Sequence, residues 1–229
     1  TDVSSGDYGY LRFEDVPLEP QELLAPSDAS RYKGLAARLN YLAQDRPDVQ
    51  YAVKEAARRM SKPTTGDWGL LKRIGRYLRG AARALQTFRW QAVPVPVDVY
   101  VDSDWAGCKR TAKSTRGGGI LYGGHCVKTW SATQKSITLS SGEAELVAAV
   151  KMSTEILGLI QLLKDWGVEI GGKVLTDSAA ALGMVRRKGN GKQRHIRVGM
   201  LWIQEKEESG EVQYTKVKGE LNPADLMTK

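Results

Sequence analysis

The sequence predicts an α/β protein with a mixed five-stranded sheet and flanking helices, preceded by a small all-α segment. The first observation is the spacing of apolar residues, which is helical up to the proline-rich stretch 92–96 and then alternates with a period of two. The second is the order of patterns after that stretch, β-β-β-α-β-α-α-β. Hairpin-like neighbours followed by strands separated by helices predict a sheet with both antiparallel and parallel pairs.

The all-α segment contains three predicted helices. Apolar residues recur at helical spacing from Tyr32 to Leu42, Pro47 begins a second helix, and a third covers about residues 67–78 with cations on its outer face. Residues 92–96 alternate valine and proline, which favours a stiff linker.

The segments before and after this linker divide the chain. The predicted division is an extended acidic lead-in at 1–26, a helical segment at 27–92 and the sheet-containing domain at 93–229. The patterns there predict strands at 97–102, 116–122, 126–130, 173–177 and 211–217. They predict helices at about 141–165, 178–185 and 195–208, and a short one beginning at Asn222.

The charge is uneven along the chain. The net charge of +8 divides into −6 over residues 1–30, +10 over 31–92 and +4 over 93–229. A basic middle favours a polyanionic partner, nucleic acid before an anionic membrane. On charge alone, a basic surface that serves only solubility is as good an explanation.

Two other classes of function are disfavoured by composition. Cys108 and Cys126 lie far apart and outside any zinc-ligand spacing, which predicts a reduced intracellular protein without structural zinc. No uninterrupted apolar run reaches the length that a bilayer requires, so no membrane partner is predicted.

Acidic residues at the ends of predicted strands are the strongest chemical signal. Asp102 and Asp177 close the first and fourth strands, Glu143 and Glu145 lie in the first turn of the long helix, and Asp225 follows the last strand. Taken singly, each is also typical of a turn, a cap or a helix dipole partner. If the first and fourth strands are neighbours, the carboxylates converge, and oxygen ligands without His or Cys suit Mg²⁺ or Mn²⁺.

Five motifs in a fixed order carry a resemblance to a known family. They are Tyr100-Val101-Asp102-Ser103-Asp104-Trp105-Ala106-Gly107, residues 110–115, Ser140-Ser141-Gly142-Glu143-Ala144-Glu145-Leu146, Thr176-Asp177-Ser178 and Asn222-Pro223-Ala224-Asp225-Leu226-Met227-Thr228-Lys229. Together they resemble the ribonuclease H domain of copia-type retrotransposon Pol. Residues 32–41, 46–48 and 73–80 resemble the helical segment that ends the reverse transcriptase of that family.

The resemblance, which covers about residues 27–229, implies a ribonuclease H-like fold. It implies a tetrad of Asp102, Glu145, Asp177 and Asp225 that binds two Mg²⁺ or Mn²⁺ ions. The implied reaction is two-metal hydrolysis of the RNA strand of RNA–DNA hybrids, giving 5′-phosphate and 3′-hydroxyl products. The implied partners are the hybrid and the upstream part of Pol, in a cytoplasmic retrotransposon particle.

Two pairs of acids compete for places in this tetrad. Glu143 and Glu145 diverge by about 200° on a helix, so only one faces a metal. The Glu-Leu-x-Ala-Ala pattern from residue 145 favours Glu145. Strand alternation favours Asp102 over Asp104, which is expected to serve the turn.

Several expectations about nucleic-acid contacts accompany this interpretation. The predicted contacts are a flexible phosphate clamp of Arg186, Arg187, Lys188, Lys192 and Arg194, hybrid-reading hydroxyls of Ser103 and Ser141, and duplex-gripping cations Lys72, Arg73 and Arg76. The loop 218–221 lacks the histidine that many cellular ribonucleases H carry, so catalysis is predicted to rest on metals alone. The helix carrying Asp225 is predicted to be mobile because it is short.

Two other functions remain open from the sequence. An integrase or transposase shares the fold, but its last acidic residue lies on a helix after the fourth strand, whereas Glu145 precedes that strand. A degenerate remnant that binds hybrids without cutting them is the non-enzymatic alternative.

Overall fold

The structure, a computed structural model, describes residues 22–92, 96–191 and 194–229. The described residues up to Ala84 form one compact unit, and Leu85–Thr228 form a second. The predicted acidic lead-in falls mostly outside the described residues. The predicted boundary after residue 92 adjoins the undescribed residues 93–95, so both expectations stay predictions.

The first unit consists of three helices, α1 (Pro26–Leu42), α2 (Pro47–Ala57) and α3 (Thr65–Gly80). Proline lies in the first turn of α1 and α2, where its missing N–H costs nothing. Helix α3 begins at a capping box between Thr64 and Asp67. The helices bury a common core of Tyr32, Ala36, Val49, Val53, Ala56, Leu70, Leu71 and Ile74. The predicted all-α segment is therefore present.

The second unit is built on one five-stranded sheet. Its strands are β1 (Val97–Ser103), β2 (Thr115–Tyr122), β3 (His125–Thr133), β4 (Gly172–Thr176) and β5 (Val212–Lys216). Their order in space is β3-β2-β1-β4-β5. The β1–β2 and β2–β3 pairs are antiparallel, whereas β1–β4 and β4–β5 are parallel. The predicted mixed sheet is confirmed, and β1 lies at its centre beside β4.

Helices α4 (Ser141–Asp165), α5 (Ala179–Arg186) and α6 (Trp202–Glu208) flank this sheet. The helix predicted from residue 195 is shorter than expected: a 3₁₀ turn at Val198–Met200 precedes α6. The Asn190 amide donates to the Ile196 carbonyl (3.2 Å), which occupies an acceptor that a continuous helix would use. The predicted short helix after Asn222 is likewise a 3₁₀ helix, Pro223–Met227.

Helix α4 is the central element of the core. Its apolar residues pack against β1 and β4 in a cluster that includes Val97, Val99, Val101, Leu146, Met152, Ile156 and Val174. By length and composition alone α4 would suffice to cross a membrane. The sequence interpretation missed this because acidic and basic residues interrupt the run, and the core helices of soluble proteins meet the same criterion.

Candidate metal centre

Three of the predicted carboxylates meet at one edge of the sheet. Asp102 lies at the end of β1, Asp177 directly follows β4, and Glu145 lies in the first turns of α4. Each contributes a carboxylate oxygen that lies within 4.8 Å of the other two. Because β1 and β4 are parallel neighbours, their carboxyl ends share an edge, and α4 begins there. This juxtaposition is what the strand order was expected to produce.

Two of the three carboxylates are buried from solvent. Asp102 is 8% exposed and Glu145 6% exposed. Glu145 accepts hydrogen bonds from the Ser103 N–H (2.9 Å) and the Thr176 hydroxyl (3.4 Å). Burial, and then the negative charges of Asp102 and Asp177, raise the pKa of Glu145 to about 8. Within the described residues no Lys or Arg forms an ion pair with Glu145 or Asp177.

Glu143 and Asp104 lie outside the cluster. The Glu143 carboxylate accepts from the Leu139 N–H (2.7 Å), and its Oε2 lies 3.1 Å from Nε2 of His195. Asp104 accepts from the Thr115 N–H and donates its own N–H to the Thr115 carbonyl (3.1 Å). Glu143 thus fixes the α4 start and Asp104 the turn after β1, while Glu145 and Asp102 face the cluster.

Asp225, the fourth predicted ligand, is half-buried on the 3₁₀ helix Pro223–Met227 and is not one of the three converging carboxylates. The predicted mobility of this segment stays a prediction, but the segment is packed against the sheet. Met227 is 4% exposed, and the Asn222 amide donates to the Val101 carbonyl (2.9 Å) on β1. The segment packs because Gly117 on β2 leaves room for it: a Cβ there would lie 2.5 Å from Cβ of Met227.

Two supporting residues were not found from the sequence. The hydroxyl of Thr228, which is 2% exposed, donates to Oδ2 of Asp102. The buried Gln134 amide donates to the Ser103 hydroxyl and to the Ala144 carbonyl, each at 2.9 Å, and so links β3 to β1 and α4. Thr228 lies within the last motif of the resemblance, but the motif indicates no contact with Asp102, and Gln134 lies outside all five motifs.

The predicted hybrid-reading serines differ in accessibility. The Ser103 hydroxyl donates to the Asp104 and Thr115 carbonyls (both 3.0 Å) and accepts from Gln134, so it is directed into the protein. Ser141 is exposed as the first residue of α4.

The cations of the predicted clamp are also unequal. The Arg186 guanidinium donates to the Tyr214 carbonyl (2.8 Å) and lies 3.6 Å from Glu207. Lys188 is 86% exposed and forms only a surface pair with Glu208. Arg187 donates to the Asn190 carbonyl (2.7 Å). Arg194 is exposed, and Lys192 lies outside the described residues. Among the predicted duplex contacts on α3, Lys72 and Arg76 are exposed and Arg73 is half-buried.

The donor set fits a hard divalent cation. The converging atoms are all carboxylate oxygens, and within the described residues no His or Cys joins the group. Mg²⁺ and Mn²⁺ prefer such oxygens, whereas zinc sites are built mainly from His and Cys. Buried like charges without a cation are costly, and a bound divalent ion relieves that cost.

Comparison with known proteins identifies relatives of this chain. No family model matches it. It is 31% identical over 206 residues to the "Retrovirus-related Pol polyprotein from transposon RE2" of Arabidopsis thaliana, covering 88% of this chain and 14% of that protein. It is 31% identical over 186 residues to the corresponding protein from transposon TNT 1-94 of Nicotiana tabacum, covering 80% and 14%. The chain thus spans about one seventh of the length of these relatives.

Among solved structures, the chain is similar to LC11-RNase H1, isolated from compost, with 16% identity and a TM-score of 0.47. That match covers 58% of this chain and 93% of the other. The homologues of this chain are retrovirus-related Pol polyproteins of copia-type transposons, with which it shares 31% identity over most of its length.

Proposed function

We propose that the chain is a divalent-metal-dependent ribonuclease H that cuts the RNA strand of RNA–DNA hybrids during retrotransposon reverse transcription. The observation that carries the proposal is the cluster of buried Asp102 and Glu145 with half-buried Asp177, whose oxygens converge within 4.8 Å. Homology to Pol polyproteins supports a role in processing the nucleic acids of a retroelement. Such a cluster suits divalent cations, which catalyse phosphodiester hydrolysis by activating a water and neutralising the leaving oxygen.

The proposed roles of the side chains follow from their positions. Asp102 and Glu145 are the more buried ligands, and Asp177 is half-buried. Asp225 is proposed as the ligand of a second, more exposed site. When bound, two Mg²⁺ or Mn²⁺ ions supply an activated water and neutralise the leaving 3′ oxygen. The proposed products are a 5′-phosphate and a 3′-hydroxyl.

Substrate binding is proposed to use the cations that remain accessible. Lys188 and Arg194 lie on the segment after α5 and are exposed, so they are placed to contact phosphates. Ser141 at the start of α4 is the accessible hydroxyl of the predicted pair. On α3, Lys72 and Arg76 are proposed to grip a duplex as a polymerase thumb does. The proposed setting is the C-terminal part of Pol in a cytoplasmic particle.

The order of the acids distinguishes the proposal from an integrase or transposase. Glu145 lies on α4, before β4 in the chain, and its carboxylate lies with those of Asp102 and Asp177. The integrase pattern requires the helical acid to follow the fourth strand. A hybrid-binding remnant without activity is excluded only by an activity measurement.

The test is cleavage of an end-labelled RNA–DNA hybrid by the full chain in Mg²⁺, in Mn²⁺ and in chelator. We expect internal cuts in the RNA strand with either metal and none in chelator. The Asp177→Asn variant should fold normally and lose more than nine tenths of the activity. Hybrid binding without cutting in either metal would instead support the inactive remnant, and an unchanged Asp177→Asn rate would refute the site.

A further inference from the structure

The segment after β5 reaches back to the centre of the metal cluster. The Thr228 hydroxyl donates to Oδ2 of Asp102 and lies 3.1 Å from the carbonyl oxygen of Asp225. Thr228 is 2% exposed and Asp102 8% exposed, so water does not compete freely for this hydrogen bond. One hydroxyl thereby touches both the central acid of the cluster and the turn that carries the fourth predicted ligand.

The position of Thr228 is fixed by contacts that do not involve the cluster. The Ser131 hydroxyl on β3 donates to the Met227 carbonyl, and the Asn222 amide donates to the Val101 carbonyl at 2.9 Å. Gly117, the antiparallel partner of Asp102 on β2, lies against the same segment. A Cβ on Gly117 would come within 2.8 Å of Cγ2 of Thr228, so only glycine leaves room for this approach.

A hydroxyl held in this way restricts the Asp102 carboxylate. A free aspartate side chain rotates about its last bond, and a metal must then pay the entropy of fixing it. A hydrogen bond to Oδ2 holds the plane of the Asp102 carboxylate. Hydrogen-bond partners of metal ligands commonly change metal affinity by about 10–100-fold when they are removed.

We propose that Thr228 is a positioning residue that orients Asp102 for divalent metal binding and ties that orientation to the turn carrying Asp225. The inference rests on the proposed function, because it assumes that Asp102 is a metal ligand. Thr228 itself touches neither substrate nor the reacting atoms in this arrangement. Its role is expressed in metal affinity before any hybrid is bound.

Two matched pairs of variants isolate the hydroxyl. At position 228, the wild-type Thr and the Val of Thr228→Val have nearly the same shape, and only Thr has a hydroxyl. Thr228→Ser and Thr228→Ala form the second pair, in which only Ser has a hydroxyl. The measurement is Mn²⁺ binding to the full chain without nucleic acid, followed by the electron paramagnetic resonance of free Mn²⁺. We expect the Mn²⁺ dissociation constant to rise about tenfold from Thr to Val and by a similar factor from Ser to Ala.

Circular dichroism and thermal unfolding in chelator accompany each titration. If Thr228→Val does not fold, the Ser and Ala pair carries the test alone. Mn²⁺ dissociation constants within twofold of each other in both pairs would overturn the proposal. It would also be overturned if Mn²⁺ affinity depended on the methyl group, so that Thr228→Ser bound Mn²⁺ as weakly as Thr228→Ala.

Hybrid cleavage by the same variants separates this inference from the proposed function. We expect the loss of the hydroxyl to raise the Mg²⁺ concentration for half-maximal rate about tenfold, with the rate at saturating Mg²⁺ within about threefold. Mn²⁺ binding that depends on the hydroxyl in a protein that cuts no hybrid would refute the nuclease and leave the positioning role standing. A wild-type chain that binds no Mn²⁺ would refute both.

Discussion

The helical unit and the sheet unit both bury acidic side chains, and they neutralise them differently. In the helical unit, Asp67 is 3% exposed, accepts from the N–H and hydroxyl of Thr64 (both 2.8 Å) and lies 3.2 Å from Arg59. Glu55 pairs with Lys54 and Arg58, each at 2.6 Å. Although burial alone would raise it, these two cations hold the pKa of Glu55 below its usual value.

In the sheet unit the corresponding partners are other acids. Asp102 and Asp177 add to the effect of burial on Glu145 and raise its pKa to about 8. The difference separates two uses of a buried carboxylate. Asp67 and Glu55 are structural because the chain itself supplies the counter-charge, whereas the cluster at the sheet edge is suited to a cation from solution.

Activity should show the largest contrast between the two units. Glu145→Gln is expected to lower hybrid cleavage about a hundredfold or more, since losing one metal ligand costs a few kcal/mol of transition-state stabilisation. Asp67→Asn should leave the rate at saturating hybrid within about threefold. Single-turnover cleavage in Mg²⁺ measures both. Equal losses in the two variants would remove the distinction between structural and ligand acids.

The same two variants should change stability in opposite directions. In chelator at pH 8.5, Glu145→Gln is expected to stabilise the sheet unit by about 2 kcal/mol because it removes a buried charge without a counter-ion. Asp67→Asn should destabilise the helical unit by about 1–3 kcal/mol, through the weakened capping box and an unpaired Arg59. Urea unfolding followed by circular dichroism gives both values, and a destabilised Glu145→Gln protein would contradict the comparison.

The metal-free protein should lose stability as the pH rises. Because the folded pKa of Glu145 is raised from its usual 4.5 to about 8, folding favours its protonated form. The stabilisation is complete below about pH 4.5 and is lost as the pH rises through about 8, with a total of up to about 5 kcal/mol. Unfolding in chelator from pH 5 to 9 tests this. The decrease in the free energy of unfolding with rising pH should be smaller in the Glu145→Gln variant, and smaller in the wild-type protein in excess Mg²⁺.

Besides the charges of the cluster, the space that Gly117 leaves for the 222–228 segment contributes to stability. Gly117→Ala would place a methyl group 2.5 Å from Cβ of Met227, so the 222–228 segment must shift, at a cost of about 1–3 kcal/mol. The matched control is Gly119→Ala, whose new methyl would meet its nearest neighbour, Thr129, at 3.6 Å. We expect the control to cost under about 1 kcal/mol. Similar melting temperatures for the two variants would show that the 222–228 segment can shift at little cost in stability.

The smallest expected effect concerns surface cations. Neutralising Lys188 and Arg194 together should lower the salt dependence of hybrid binding by up to about two in slope, since each phosphate contact contributes roughly one. The matched change Arg59→Gln removes a cation that pairs with buried Asp67, so it should weaken stability and leave the slope unchanged. Filter binding between 50 and 300 mM salt is the measurement. An unchanged slope in the double variant would assign the loop to solvation only.

The fold was largely predictable because its signals are local and periodic. The alternation from Val97 to Asp102 and the proline at the start of α2 marked elements within one or two residues of their observed bounds. The convergence of Asp102 with Asp177 followed from the strand order. The lengths of short helices were less predictable, because 3₁₀ turns depend on single hydrogen bonds such as that from Asn190 to Ile196.

The contacts that support the site could not be derived from sequence patterns. Thr228 and Asp102 are separated by most of the second unit, and their pairing depends on the absence of a side chain at Gly117. Arg186 shows the same limit. Its predicted role in a phosphate clamp stays a prediction, and its hydrogen bond to the Tyr214 carbonyl is a tertiary contact that the sequence spacing did not indicate. Tertiary partners decide both cases, and one-dimensional spacing does not encode them.

The parallel pairing of β1 with β4 has a kinetic consequence. These strands are separated in the chain by β2, β3 and α4, so their pairing closes a long loop and is expected late in folding. The three carboxylates therefore meet only after most of the surrounding structure has formed. A divalent ion that binds there has no preformed site in earlier states. The ion should therefore mainly lower the unfolding rate and should change the folding rate little.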